Sequence, residues 1–154
     1  MTGKLYALAL VSIFSIANAQ EPEKVDQPPA VSAKDAQDIA GMMFTMYRAG
    51  GPGHMLRAEN ECWKAFAKDK ARSEHGAASC SLSALSGAFI EASYARQNAR
   101  PSAPAYTGPA IRARIVKNLS QLGVSEQRTD EILSRSVSPR IEDVTLGLAN
   151  AGMR

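Results

Sequence analysis

The sequence predicts an all-α fold, a compact bundle of about five to six helices with one intrachain disulfide. Along most of the chain, apolar residues recur at intervals of three and four, the spacing that places them on one face of a helix. No alternating Val, Ile and Thr pattern of the kind that forms strands reaches any length. Clusters of glycine and proline separate the periodic segments and mark the ends of the predicted helices.

The N-terminus has the layout of a secretory signal peptide. Lys4 precedes an apolar run from Leu5 to Ile16, and Ala17 and Ala19 form a small-residue cleavage site. The run has about 12 residues, fewer than the roughly 20 that a membrane-spanning helix needs. An uncleaved membrane anchor is the alternative to a cleaved signal peptide. We therefore expect residues 1–19 to be a cleaved signal peptide, with no stable membrane anchor and the periplasm as the compartment.

The mature chain divides into two parts by composition. Residues 20–31, QEPEKVDQPPAV, carry prolines and charges but almost no large apolar side chain, which predicts a flexible leader. Residues 32–154 have the length and apolar content of one compact helical domain.

Ser32 is a good N-cap for a first helix, which the glycine-rich run at 50–53 breaks. Met42, Met43 and Met46 fall on the apolar arc of this helix. Thioether and imidazole groups also bind copper, so an alternative hypothesis is a metal site formed by Met42, Met46, His54 and Met55. Without these methionines the helix has no apolar face to bury, so we interpret them as core and predict no metal ligands and no cofactor.

A second helix is predicted from about His54 to Arg72, with Cys62 and Phe66 on its apolar stripe. Glu59 lies at the edge of that stripe. A glutamate in a cleft can act as a general acid in glycan cleavage, but we interpret Glu59 as a partly exposed residue paired to Lys or Arg. The chain contains no H-E-x-x-H, G-x-S-x-G or P-loop motif. We therefore interpret it as a binding protein and not as an enzyme.

The third predicted helix, about Ala77 to Arg96, carries small residues spaced by four, as at Ser79, Ser83 and Gly87. Such spacing allows close helix packing, either within the bundle or across a homodimer seam. Cys62 and Cys80 are the only cysteines, and in an oxidising compartment we expect them to form a disulfide that joins the second and third helices. Two free thiols or an intermolecular bridge are the alternatives.

Prolines 101, 104 and 109, with Gly108, exclude regular helix between about Arg100 and Gly108. Tyr106 is the one aromatic residue of this loop, and tyrosine and arginine are favoured anchors of interfaces. A fourth helix follows from about Pro109 to Leu122. Ser125 caps a fifth, and Ser138 with Pro139 opens a sixth.

Charge is unevenly distributed. Cleavage after Ala19 removes only Lys4 of the 18 basic residues and none of the 15 acidic ones, which leaves a net charge of +2. Between Glu91 and Glu126 there is no acid, whereas five basic residues occur there: Arg96, Arg100, Arg112, Arg114 and Lys117. This stretch predicts a basic face, either simply solvated or a docking patch for an acidic protein or anionic envelope polymer. Nucleic acid is not an expected partner, because no stacking aromatics accompany the arginines.

A short, exported, single-disulfide helical domain without catalytic motifs resembles the periplasmic immunity proteins paired with type VI secretion amidase effectors. The resemblance covers the organisation of the whole mature chain. It implies a helical protein, often a homodimer, that blocks the active-site groove of a secreted peptidoglycan amidase. On this basis we expect the partner-binding residues to be Arg100 and Tyr106 in a protruding loop, flanked by Arg112 and Arg114, with His54 beside the glycine-rich turn as a second candidate.

Two rival hypotheses remain open. A small periplasmic chaperone or stress protein would bind many clients weakly through basic and apolar surfaces. A copper protein would retain Cu(I) at Met42, Met46, His54 and Met55.

Overall fold

The computed structural model of the protein describes residues 27–154, and the predicted signal peptide lies outside this range. The described chain is all-α, with no strand, and forms four continuous helical segments. These are α1 (Ala33–Lys68), α2 (Glu74–Gln97), α3 (Gly108–Gln121) and a last segment that starts with α4 (Glu126–Ile132) and ends with α5 (Ile141–Asn150). A π-helical stretch (Leu133–Val137) and a 3₁₀ turn (Ser138–Arg140) join α4 to α5.

The prediction of five to six separate helices is therefore wrong in number. The glycine-rich break exists, but as a kink inside α1: the backbone leaves helical geometry at Gly50 and Gly51 and resumes it at Pro52. Gly51 has a φ of 65°, a conformation that favours glycine. Pro139 does not begin a separate helix either, because it occupies the first turn of the 3₁₀ segment, where a missing N–H is tolerated.

The helix starts follow the predicted capping residues. The hydroxyl oxygens of Ser32 and Ser125 accept hydrogen bonds from the backbone N–H groups of Asp35 and Arg128. Ser73, which was not predicted as a cap, caps α2: its hydroxyl oxygen accepts a hydrogen bond from the Gly76 N–H. Each cap satisfies one of the backbone donors left free at a helix start.

The core lies between α1 and α2, with α5 packed against α1. Met43 and Met55 are fully buried there, as their core interpretation predicts, but Met42 is 43% exposed and does not belong to the core. The approach of α5 to α1 is close: a Cβ on Gly147 would stand 2.5 Å from the Gln37 carbonyl oxygen. Only glycine allows this crossing.

The predicted disulfide is present between Cys62 of α1 and Cys80 of α2, with 5.6 Å between the Cα atoms. Closing a loop with a sequence separation of 18 stabilises the fold by about 3 kcal/mol in the chain-entropy model. A structural disulfide indicates an oxidising compartment. Within residues 27–154, no helix is long and apolar enough to cross a membrane.

The end of the predicted leader is anchored to the last helical segment. The Ala30 N–H donates to the Ser136 hydroxyl at 3.1 Å, and the Arg140 guanidinium donates to the Val31 carbonyl at 2.8 Å. Val31 itself is fully buried. The helical domain therefore includes at least these residues, which the leader prediction had assigned outside it.

Candidate functional site

The segment 100–108, which joins α2 to α3 and which we call the proline-rich loop, contains no α-helix before Gly108. Its only regular element is a 3₁₀ turn, Pro104–Tyr106. Ala103, just before the turn, has φ −57° and ψ 134°, in the polyproline II range. The loop's position on the surface was predicted, but the orientation of its side chains was not.

Tyr106 points inward, contrary to the expectation of an exposed anchor. It is 3% exposed, and its ring lies against Gly87 of α2, where an added Cβ would come within 2.4 Å of the ring. Burial, with the negative charge of Glu59, raises the pKa of the Tyr106 phenol. The hydroxyl has no hydrogen-bond partner within the described residues. Tyr106 therefore fastens the loop to α2 and is not available to a partner.

Arg114 also points inward, where it pairs with Glu59 of α1. Its guanidinium makes a bidentate contact with the Glu59 carboxylate, at 3.0 Å from Nε and 2.9 Å from Nη2. It also donates to the Ala105 carbonyl of the loop and lies over the Tyr106 ring, 5.4 Å from the ring centroid. The predicted pairing of Glu59 with a basic residue is therefore confirmed. Its predicted partial exposure is wrong, because Glu59 is fully buried.

Arg100 makes the equivalent pair with Glu91 of α2. The guanidinium nitrogens donate to the Glu91 carboxylate at 2.6 and 3.2 Å, and the Ala103 N–H donates to the same carboxylate at 2.8 Å. Burial alone would raise the pKa of the fully buried Glu91. The hydrogen bonds from Arg100 and Ala103 outweigh it and hold that pKa below its usual value. Glu91 thus remains ionised and holds the first half of the loop.

The expected basic face is largely neutralised. Arg100 and Arg114 pair with carboxylates from outside the acid-free stretch, and Arg112, on the exposed side of α3, pairs with Asp130 at 3.2 Å. Only Arg96 and Lys117 of the five basic residues have no ion pair within the described chain. Beyond Arg100, which is itself 38% exposed, the outward surface of the proline-rich loop has no charged residue, and Pro101, Pro104 and Thr107 are exposed.

His54, the second predicted candidate, lies at the kink of α1. Its imidazole packs over Gly50, where an added Cβ would clash with the ring at 1.4 Å. The side chain is partly buried, and its Nδ1 has no hydrogen-bond partner in the described part of the chain. Among the described residues, no hydrogen bond or ion pair joins His54 to the proline-rich loop.

Glu91 was not singled out from the sequence, and Glu59 was expected to pair with Lys or Arg but not to hold the proline-rich loop. Glu91 falls within an apolar stretch of α2, and Glu59 lies at the edge of the apolar stripe of α1, positions where a buried acidic side chain is unusual unless it is paired. Those positions were the available signal, but the partners of Glu59 and Glu91 lie 55 and 9 positions away. Among residues 27–154, no three His, Cys, Asp or Glu side chains are grouped as metal ligands would be.

No family model matches the chain, and no curated protein or solved structure shows significant similarity to it.

Proposed function

We propose that the chain is an exported binding protein that inhibits a peptidoglycan-cleaving amidase by inserting the proline-rich loop into the enzyme's groove. The observation that carries the proposal is the anchoring of this loop. Two arginine–glutamate pairs and the buried Tyr106 fix it to α1, α2 and α3, while the uncharged exposed side chains of Pro101, Pro104 and Thr107 make no internal hydrogen bond across the described fold.

Such anchoring favours tight binding, because a loop that becomes ordered only on association loses conformational entropy, and that loss weakens the affinity. A loop that is already held in one conformation loses little further entropy when it docks. Proline adds to this effect, since its ring restricts the backbone before and after folding. The docking surface proposed here therefore consists of Pro101, Pro104 and Thr107, in place of Tyr106 and the arginines.

The state of the carboxylates supports a binding role over a catalytic one. A general acid at neutral pH requires a raised pKa, whereas the pKa of Glu91 is lowered. Glu59 is enclosed by Arg114 and buried, with no free oxygen presented to a substrate. The disulfide supports the proposed periplasmic location, and a homodimer is a further expectation of the resemblance.

The test is a pull-down from periplasmic extract with the mature chain, residues 20–154, scored for one stoichiometric partner. Pro104→Glu places a charge on the exposed surface of the loop, at the first position of its 3₁₀ turn. Thr145→Glu, on the exposed side of α5, is the matched control.

We expect one wall-degrading enzyme to be captured by the wild type and the control but lost from Pro104→Glu. Capture of many weak clients would favour the chaperone hypothesis instead. Equal capture by all three proteins would place the docking surface elsewhere.

A further inference from the structure

A second surface is an apolar groove that begins at Gly108, where the proline-rich loop ends, and extends along α3. It has a volume of about 360 Å³, within the range of small-molecule sites. Three elements form its walls: α2, α3 and the last helical segment. The apolar side chains that line it are Leu85, Ala88, Ile111, Ile115, Leu133 and Val137.

The groove has a single charged residue in its lining. Arg112 lies at the rim, and no acidic side chain is among the lining residues. Ser138 is the only hydroxyl, and it is already used as a donor to the Leu133 carbonyl. An apolar groove with one cation at its rim is complementary to an amphiphile that has an apolar tail and an anionic head.

The Arg112 guanidinium is open to exchange of partners. Its pair with Asp130 is one contact of 3.2 Å between side chains that are both more than half exposed. Exposed pairs of this kind contribute only about 0–1 kcal/mol, so a ligand carboxylate can replace Asp130. Ile141, in the lining and 39% exposed, leaves further apolar surface uncovered beside the groove.

The backbone of the groove is also unusual. The Leu133–Val137 stretch is π-helical, and its first and last residues both line the groove. Single π-helical turns occur frequently at functional sites, because they displace side chains from the positions of a regular helix. The only described π-helical stretch thus coincides with the apolar groove.

We infer that this groove binds a single-chain anionic amphiphile, a medium-chain fatty acid, with the acyl chain between α2 and the π-helical stretch and the carboxylate at Arg112. The inference goes beyond the proposed inhibitor function and does not depend on it.

The test is calorimetric titration of the mature chain with decanoate below its micellar concentration. We expect one decanoate per chain and an affinity about fifteenfold higher than for octanoate, since each buried methylene contributes about fourfold. The neutral analogue decanol lacks the carboxylate and should bind about two- to fivefold more weakly.

Variants locate the site. Ala88→Trp fills the groove and should abolish binding, whereas Ala113→Trp, on the exposed surface of α3, should not. Arg112→Gln should weaken decanoate binding to the level of decanol, with Lys117→Gln as the matched control. Asp130→Asn removes the ion-pair partner of Arg112 and should therefore strengthen decanoate binding. Circular dichroism checks each fold, and Ala88→Leu replaces Ala88→Trp if the latter unfolds.

Four results would overturn the inference. The first three are the absence of saturable decanoate binding, binding that survives filling of the groove, and equal effects of Arg112→Gln and Lys117→Gln. The fourth is binding of decanol as tight as that of decanoate, which would reject an anionic ligand.

Discussion

At the scale of single residues, two buried glutamates determine how the proline-rich loop is held. A carboxylate removed from water is tolerated only when it is paired and hydrogen-bonded. Glu59 meets this condition through the bidentate contact with Arg114, and Glu91 through Arg100 and the Ala103 N–H. Of the three arginines that the sequence suggested for a partner, Arg100 and Arg114 are thus paired with buried carboxylates inside the molecule.

Replacing Arg114 should therefore be far more damaging than replacing its neighbour on the exposed side of α3. Arg114→Ala leaves the Glu59 carboxylate buried and unpaired, and we expect it to lower the free energy of unfolding by about 3–5 kcal/mol. Arg112→Ala breaks only an exposed pair and should change it by less than about 1 kcal/mol. Urea denaturation measures both.

Replacing both partners, Glu59→Met with Arg114→Met, should recover most of the stability lost in Arg114→Ala, because no buried charge remains. An Arg114→Ala variant as stable as Arg112→Ala would contradict the buried pairing.

The pKa of Glu91 predicts a dependence of stability on pH. In the folded protein this pKa is lowered, whereas in the unfolded chain it has its ordinary value of about 4.3. The unfolded chain therefore takes up the proton first as the pH falls. The stabilisation is fully present above the unfolded pKa and is lost as the pH falls through the folded one.

We expect the free energy of unfolding to decrease below about pH 5, and Glu91→Gln to reduce the steepness of that decrease. Thermal melts between pH 3 and pH 7 provide the measurement, with exposed Glu142→Gln as the matched control. The same pH slope in Glu91→Gln and the wild type would show that Glu91 is not held as an ionised group.

At the scale of elements, the contact between α2 and the proline-rich loop depends on one small residue. The Tyr106 ring occupies the space that a side chain at Gly87 would fill. Gly87 is buried, so the ring and the helix cannot easily move apart. The small-residue spacing in α2 thus has an internal packing role at this position, while a homodimer seam remains a prediction.

Gly87→Ala should lower the free energy of unfolding by about 1–3 kcal/mol, because the added methyl group overlaps the Tyr106 ring. Gly53→Ala is the matched control: its Cβ would meet nothing within 4 Å, and alanine favours the helix. Thermal denaturation of both variants tests the contact, and a Gly87→Ala protein as stable as Gly53→Ala would disprove it.

Local signals predicted the elements better than the tertiary contacts. The caps at Ser32 and Ser125 and the break at Gly50 depend on neighbouring residues, so they were visible in the sequence. The number of helices was predicted wrongly, because the glycine-rich break is a kink inside α1 and the chain continues through Pro139 without a loop. The inward direction of Tyr106 depends on Gly87, 19 positions earlier, which no periodicity reveals.

At the scale of the whole molecule, internal contacts leave two neighbouring surfaces, which meet at Gly108 and to which we propose binding roles. A disulfide and a close helix crossing at Gly147 fix α1 against α2 and α5. On this frame the proline-rich loop exposes the uncharged side chains of Pro101, Pro104 and Thr107, and the apolar groove lies between α2, α3 and the last helical segment. The two surfaces have different chemistry, and we assign them different ligands: a protein for the loop and a fatty acid for the groove.

The most direct test of the inhibitor proposal is a titration of the captured enzyme with the mature chain while peptidoglycan cleavage is followed. We predict that activity falls linearly and reaches zero near one chain per enzyme, and that Pro104→Glu requires a large excess to do the same. A stable complex in which the enzyme keeps its activity, or equal inhibition by Pro104→Glu and the wild type, would contradict the proposal.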